Sequence, residues 1–198
     1  MYLYLKSQWV NYIFINNTNN KTMKKILAFS GSNNIESIHR QLLSYIQKKY
    51  SNEAIAIEVK DMREFETPYF SLEREQEANP EALDRFLELI SHYDGYVFAT
   101  PEYNGWMPAM FKNLLDWVSR KSKNLFEEKP LLSLSASPGP WAWANNRAYM
   151  TKILGYFGAK SVAEYSIPSF YENMKDWELE EGHKLELSKA IENFIKSL

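Results

Sequence analysis

No cysteine occurs among the 198 residues of this chain. Disulfide staples, thiolate nucleophiles and Cys-ligated zinc or iron–sulfur centres are therefore excluded from its chemistry. Histidine is nearly as scarce. His39, His92 and His183 lie far apart with no metal-ligand spacing, so no protein-bound metal is expected. No apolar run is long enough to span a membrane. The net charge of −2 gives no basic field, so neither nucleic acid nor an anionic membrane is an expected partner. Neither a GxGxxG nor a Gly-Lys-Ser/Thr loop is present. What is plentiful is aromatic: 13 tyrosines and 6 tryptophans in a chain long enough for one α/β domain with a real core.

The first 22 residues stand apart. Met1 to Thr22 is polar and aromatic and carries the run Asn16-Asn17-Thr18-Asn19-Asn20. Its longest apolar run, Ile13-Phe14-Ile15, is too short for the core of an export signal. Met23-Lys24-Lys25 before an apolar strand reads as an ordinary start. Residues 1–22 are expected to be a poorly ordered extension of a single domain over residues 23–198, and the protein is expected in the cytoplasm.

From there the pattern alternates. Lys25–Ser30, Ala54–Val59, Tyr96–Thr100, Pro130–Ala136 and Ser161–Ile167 are short apolar, partly β-branched runs that read as buried strands. Between and after them apolar residues recur at helical spacing: Ile38, Leu42, Tyr45 and Ile46; Leu83, Phe86, Leu87 and Ile90; Met107, Met110, Phe111, Leu114, Leu115 and Val118; Tyr149, Ile153, Tyr156 and Phe157; Leu187, Ile191, Phe194, Ile195 and Leu198. Asn79-Pro80-Glu81 reads as a helix start, with Asn79 as cap and Pro80 in the first position. The stretch from Asp61 to Asn79 has no clear period and reads as a functional lid or a subunit contact. This βα alternation implies a parallel sheet covered on both faces. Five strands favour the flavodoxin-like order 2-1-3-4-5.

In that order the switch point falls between the first and third strands, and the loops after strands one, three and four converge there. Gly31 to Ser37 suits a phosphate: glycine permits close approach, serines donate, and a helix N-terminus follows. The plainer alternative is a capped turn with Ser37 as N-cap. Pro101-Glu102-Tyr103-Asn104-Gly105 joins a strand to a helix and offers a planar ring, an amide and backbone N–H groups to a flat heterocycle with polar edges. The alternative is an exposed turn with Tyr103 packed on the sheet end. Ser137-Pro138-Gly139 ends a strand with a residue lacking Cβ, which admits a ligand ring. Trp106, Trp141 and Trp143 stand beside these loops, either as a rim to the pocket or at a subunit interface. Glu102 has no partner at a telling spacing and reads as a positioning residue, so no catalytic side chain is assigned.

Taken together the three loops resemble the NADPH-dependent FMN reductase family, flavodoxin-like enzymes that include quinone and azo-dye reductases. The likeness runs over about residues 24 to 170. It is strongest at Pro101-Glu102-Tyr103-Asn104-Gly105 with Lys112-Asn113-Leu114-Leu115-Asp116-Trp117-Val118-Ser119-Arg120. The resemblance implies FMN, reduced by NADPH or NADH. Ser32, Asn34 and Ser37 would lie at its phosphate. Pro101, Glu102, Tyr103, Asn104, Gly105, Ser137, Pro138 and Gly139 would lie around its ring. It also implies a homodimer or dimer of dimers and a small acceptor such as a quinone. A flavodoxin-type carrier without its own NAD(P)H oxidation is the alternative. Four positions depart from the family pattern: Asn34 where many members have arginine, His39 where asparagine is usual, Trp106 where a small or hydroxyl residue is usual, and Pro140-Trp141 in place of a glycine-rich continuation. Arg40 and a protonated His39 are the nearby cations that would compensate for the missing arginine.

Overall fold

The computed structural model describes residues 22–141 and 144–198. The predicted extension, apart from Thr22, and Trp143 lie outside these residues. Strands β1 (Lys24–Ser30), β2 (Ile55–Asp61), β3 (Gly95–Ala99), β4 (Pro130–Ala136) and β5 (Lys160–Ile167) form one parallel sheet in the order β2-β1-β3-β4-β5. This is the expected doubly wound, flavodoxin-like order. β3 and β4 are buried along their whole length, which is why they read as continuous apolar runs. The edge strands β2 and β5 carry exposed positions along their length, whereas β1 is exposed only near its start, at Lys25.

Helices α1 (Ile38–Tyr50), α2 (Leu72–Glu77), α3 (Glu81–Ser91), α4 (Ala109–Lys121), α5 (Ala144–Tyr156), α6 (Phe170–Asn173) and α7 (Glu181–Lys196) complete the chain. The two-residue period of β1 divides the core. Ile26 and Ala28 face α1 and α7, with Leu42, Ile46, Ile191 and Phe194. Leu27 and Phe29 face α3, α4 and α5, with Leu83, Phe86, Phe111, Trp117 and Leu154. Phe29 anchors this second core, its ring centroid 5.3–6.0 Å from those of Phe65, Phe86, Phe98 and Phe111.

Several local expectations change. The Asp61–Asn79 connection contains a 3-10 turn, Met62–Phe65, and the short α2. α3 starts at Glu81 with Pro80 as its N-cap, and the Pro80 carbonyl accepts the Leu83 N–H at 2.9 Å, so Asn79 lies one residue outside the cap. The buried stripe of α5 is Met150 and Leu154, while Tyr149 and Tyr156 are exposed. Of the face read from the sequence, Ile153 and Phe157 pack against the core and the two tyrosines do not. After β5, α6 and a small hairpin, β6 (Met174–Lys175) with β7 (Glu178–Leu179), precede α7. Neither was predicted. The hairpin turns at Asp176 and Trp177, both at positive φ (49° and 63°), without the Asn-Gly signature that marks such turns in a sequence.

Candidate functional site

β1 and β3 stay paired one residue beyond their registered ends, where the Gly31 N–H donates to the Ala99 carbonyl at 3.0 Å. Their loops then part toward opposite faces and open a cleft of about 250 Å³. Ser32, Ser37 and His39 line one end; Pro101, Glu102, Tyr103 and Pro138 line the other. Gly31 sits at the base, where an added Cβ would lie 2.3 Å from Cγ2 of Thr100. Close packing of β1 on β3 therefore demands glycine there.

The first loop is a chain of local hydrogen bonds. The Ser32 hydroxyl accepts the Asn34 N–H at 3.2 Å, the Asn34 side-chain oxygen accepts the Glu36 N–H at 3.0 Å, and Ser37 caps α1 by accepting the Arg40 N–H at 3.4 Å. Both serines are buried, and each hydroxyl keeps its own proton to donate. The first-turn N–H groups of α1 face the same end, as every helix start leaves them without intrahelical partners. Ser37 is thus both the N-cap and a wall of the cleft, so the two sequence readings of this loop are compatible.

The second loop is a two-residue hairpin. Tyr103 and Trp106 exchange both backbone bonds, at 2.8 and 3.1 Å, around Asn104 (φ 54°) and Gly105 (φ 81°). Two successive positive φ values define the turn that Asn-Gly favours. Tyr103 is thereby held at the cleft, while Asn104 and Gly105 form the tip outside its lining. Trp106 leans on Tyr149 of α5, with ring centroids 4.2 Å apart. Neither it nor the exposed Trp141 lines the cleft.

The third loop is tied down from behind. The Ser137 hydroxyl donates to the Gly139 carbonyl at 2.6 Å, and Ser169 and Phe170 donate their N–H groups to Gly139 and Ser137, each at 2.8 Å. Gly139 has no positive φ, and among the described residues no atom lies within 4 Å of an added Cβ. Neither strain nor packing requires glycine there, which leaves open space beside the backbone.

Of the predicted residues, Ser32, Asn34, Ser37, Pro101, Glu102, Tyr103 and Pro138 line this one cleft; Asn104, Gly105, Ser137 and Gly139 stand next to it. Sequence reasoning missed Glu36, Ile38, Ala136 and Tyr171 as lining residues. Tyr171 comes from α6, a segment with no periodic signal. His39 was noticed only as a departure. Its ring is buried, its Nε2 accepts the Ala136 N–H at 3.2 Å, and burial lowers its pKa from 6.5 to about 3. It is neutral at pH 7 and does not supply the compensating charge. Nor does Arg40, whose guanidinium binds Asp61 at 2.8 Å. Among the described residues no cluster of three or more His, Asp or Glu could hold a metal, and no helix is long and apolar enough to cross a membrane.

A 2-1-3-4-5 sheet with a polar cleft at its switch point defines the class: a flavodoxin-like α/β domain. The comparisons narrow it. The chain belongs to the NADPH-dependent FMN reductase family, whose pattern matches residues 24–172. CrdA, a subunit of the NADH:(hydroxy)cinnamate reductase of Vibrio ruber, is 31% identical over 128 residues, covering 65% of this chain and 61% of that protein. An NAD(P)H-dependent FMN reductase of Pseudomonas aeruginosa is 40% identical over 75 residues, 38% of this chain and 40% of its own length. The chain thus matches about two to three fifths of the length of these relatives. Among solved structures, FerB of Paracoccus denitrificans, described as a flavoenzyme NAD(P)H:(acceptor) oxidoreductase, superposes with a TM-score of 0.67 over 88% of this chain and 99% of its own, at 21% identity. That likeness carries the fold.

Proposed function

We propose that this protein is an FMN-dependent NAD(P)H oxidoreductase that passes electrons to a quinone-like or other small acceptor. One observation supports it above the others: the buried hydroxyls of Ser32 and Ser37 and the ring of Tyr103 border a single cleft at the switch point. The donor set fits FMN. Hydroxyl protons and helix-start amides suit a phosphate at one end. Tyr103 and the open side of Gly139 suit a flat ring at the other. In this reading Ser32, Asn34 and Ser37 hold the phosphate, and Pro101, Glu102, Tyr103, Asn104, Gly105, Ser137, Pro138 and Gly139 border the ring.

When bound, FMN supplies hydride acceptance from a pyridine nucleotide and electron delivery to an acceptor. The chain's part is to bind and orient. The hairpin fixes Tyr103, the third loop offers backbone beside the ring without a side chain, and no nucleophile or general base is required.

The purified protein is expected to be yellow and to bleach when mixed anaerobically with NADPH or NADH. A flavin that neither nucleotide bleaches would leave the electron-carrier reading instead. We also infer a homodimer or dimer of dimers, supported by the exposed Tyr69, Leu72, Trp106 and Trp141 around the site; light scattering that reports a monomer at micromolar concentration would overturn it. A cytoplasmic location follows from the use of reduced pyridine nucleotide.

A further inference from the structure

The charge of the cleft does not match a phosphate monoester, which carries between one and two negative charges at neutral pH. The residues that line it include two carboxylic acids, Glu36 and Glu102, and no lysine or arginine. Several arginines outside the lining are already paired. Arg40 binds Asp61 at 2.8 Å, and Arg63 binds the same carboxylate at 2.7 Å. Arg147 binds Glu164 at 3.0 Å, and Arg74 donates to the Tyr69 carbonyl at 2.6 Å. His39, the remaining candidate, is neutral, with its Nε2 occupied by the Ala136 N–H. The stretch 142–146 beyond the third loop contains no basic residue in its sequence.

The backbone of the first loop is partly spent as well. The N–H groups of Asn34, Glu36 and Ser37 each already have an acceptor within the loop: the Ser32 hydroxyl, the Asn34 side chain and the Asn34 carbonyl. What the loop offers an anion is the hydroxyl protons of Ser32 and Ser37, the first-turn amides of α1 and the helix dipole. All are neutral donors. A charge-assisted contact from an arginine at position 34 would be worth roughly 10- to 100-fold in dissociation constant, and no described cation replaces it.

We propose that this cleft binds the flavin without charge recognition of its phosphate, so that it takes riboflavin about as well as FMN. This rests on the flavin reading of the preceding subsection. Ring and side-chain contacts set the affinity. The phosphate gains from the serines and the helix start what it loses in hydration and in repulsion from Glu36.

The test is titration of the flavin-free full chain with FMN and, separately, with riboflavin, following calorimetric heat at 50 and at 500 mM salt. Dissociation constants within tenfold of each other, with little salt dependence, are expected. Asn34→Arg should then tighten FMN by 10- to 100-fold and leave riboflavin unchanged, and the exposed Glu36→Gln should favour FMN several-fold without altering the melting temperature. FMN binding more than tenfold tighter than riboflavin in the unmodified chain overturns the proposal alone. Failure of both flavins to bind overturns the flavin reading, and the proposal with it.

Discussion

The side-chain oxygen of Asn113 accepts the backbone N–H of Phe70 at 2.8 Å, across the gap between α4 and the connection that follows β2. Its amide nitrogen donates to the Thr67 carbonyl, the Thr67 hydroxyl and the Pro68 carbonyl at 3.1, 3.0 and 2.9 Å. One turn on, the Trp117 indole donates to the same Pro68 carbonyl at 2.8 Å, and the Phe70 ring stands edge-on to it. The two most distinctive residues of the Lys112–Arg120 motif therefore clamp the 66–70 connection. Asn113 and the connection it holds line a second cleft, of about 430 Å³, which shares Tyr103 with the first.

Replacing Asn113 with leucine keeps the bulk and removes every one of these bonds. The half-buried Phe70 N–H is then left without its acceptor, at a cost of roughly 1–3 kcal/mol. Urea unfolding of Asn113→Leu should show that loss, and limited proteolysis should cut near residues 66–70 faster than in the unmodified chain. An unchanged midpoint and unchanged cleavage would mean that the clamp does not order the connection.

Gly31→Ala tests the base of the cleft. The new Cβ meets the methyl of Thr100, a buried β-branched residue with little rotamer freedom. Overpacking of this kind costs about 1–3 kcal/mol. The variant should lose that much in chemical denaturation, whereas Gly139→Ala, whose Cβ meets nothing, should keep its stability and bind flavin more weakly.

The fold was legible because its signals were redundant. Central parallel strands are buried on both faces, so β3 and β4 announced themselves as apolar runs, and helices on both sides carried clean 3.6-residue stripes. The switch point then followed from strand number alone. Misreadings arose where chemistry and periodicity disagree. In α5 the large aromatics suggested a core face, yet the smaller Met150 and Leu154 are the buried pair, and Tyr149 stays at the surface against Trp106. The hairpin after β5 turns on Asp176 and Trp177, and a bulky tryptophan seldom adopts positive φ, so no local pattern marked it. Tyr171 reached the cleft from α6, the equally unmarked turn before that hairpin. His39 was visible as an oddity, but its neutrality depends on burial against β4, a tertiary fact.

The Asn104-Gly105 turn, by contrast, was read correctly from two residues, and it sets where Tyr103 stands. At Gly105 an added Cβ has open space around it, so the penalty of a side chain is the backbone penalty of φ 81° alone. That is about 1–2 kcal/mol for an L-residue. Gly105→Ala should lower the melting temperature modestly and weaken flavin binding by releasing Tyr103, while Asn104→Gly should leave the melting temperature unchanged. Equal flavin affinity in Gly105→Ala, despite a lowered melting temperature, would show that the position of Tyr103 does not matter for binding.

His39 makes the stability of this fold depend on pH in a direction that can be worked out. In the native chain Nε2 must be unprotonated to accept the Ala136 N–H, and burial lowers the pKa to about 3. In the unfolded chain the same imidazole takes a proton near pH 6.5. Between those two values the unfolded state binds more protons, so stability rises with pH. The contribution is fully present above pH 6.5 and is lost as the pH falls toward 3, at up to about 1.4 kcal/mol per unit. Asp61 acts with the same sign further down. Burial opposes its charge, but its bonds to Arg63 and the charge of Arg40 outweigh that and hold its carboxyl below the usual range. His39→Gln separates the two, because the glutamine side-chain oxygen reaches where Nε2 stood and accepts the Ala136 N–H without titrating. From pH 7.5 to pH 5.0 the unmodified chain should lose about 2 kcal/mol more unfolding free energy than the variant. Parallel losses would mean that the His39 ring takes up a proton in the folded chain, and the imidazole nitrogen shifts in NMR, expected to stay constant over that range, would then move.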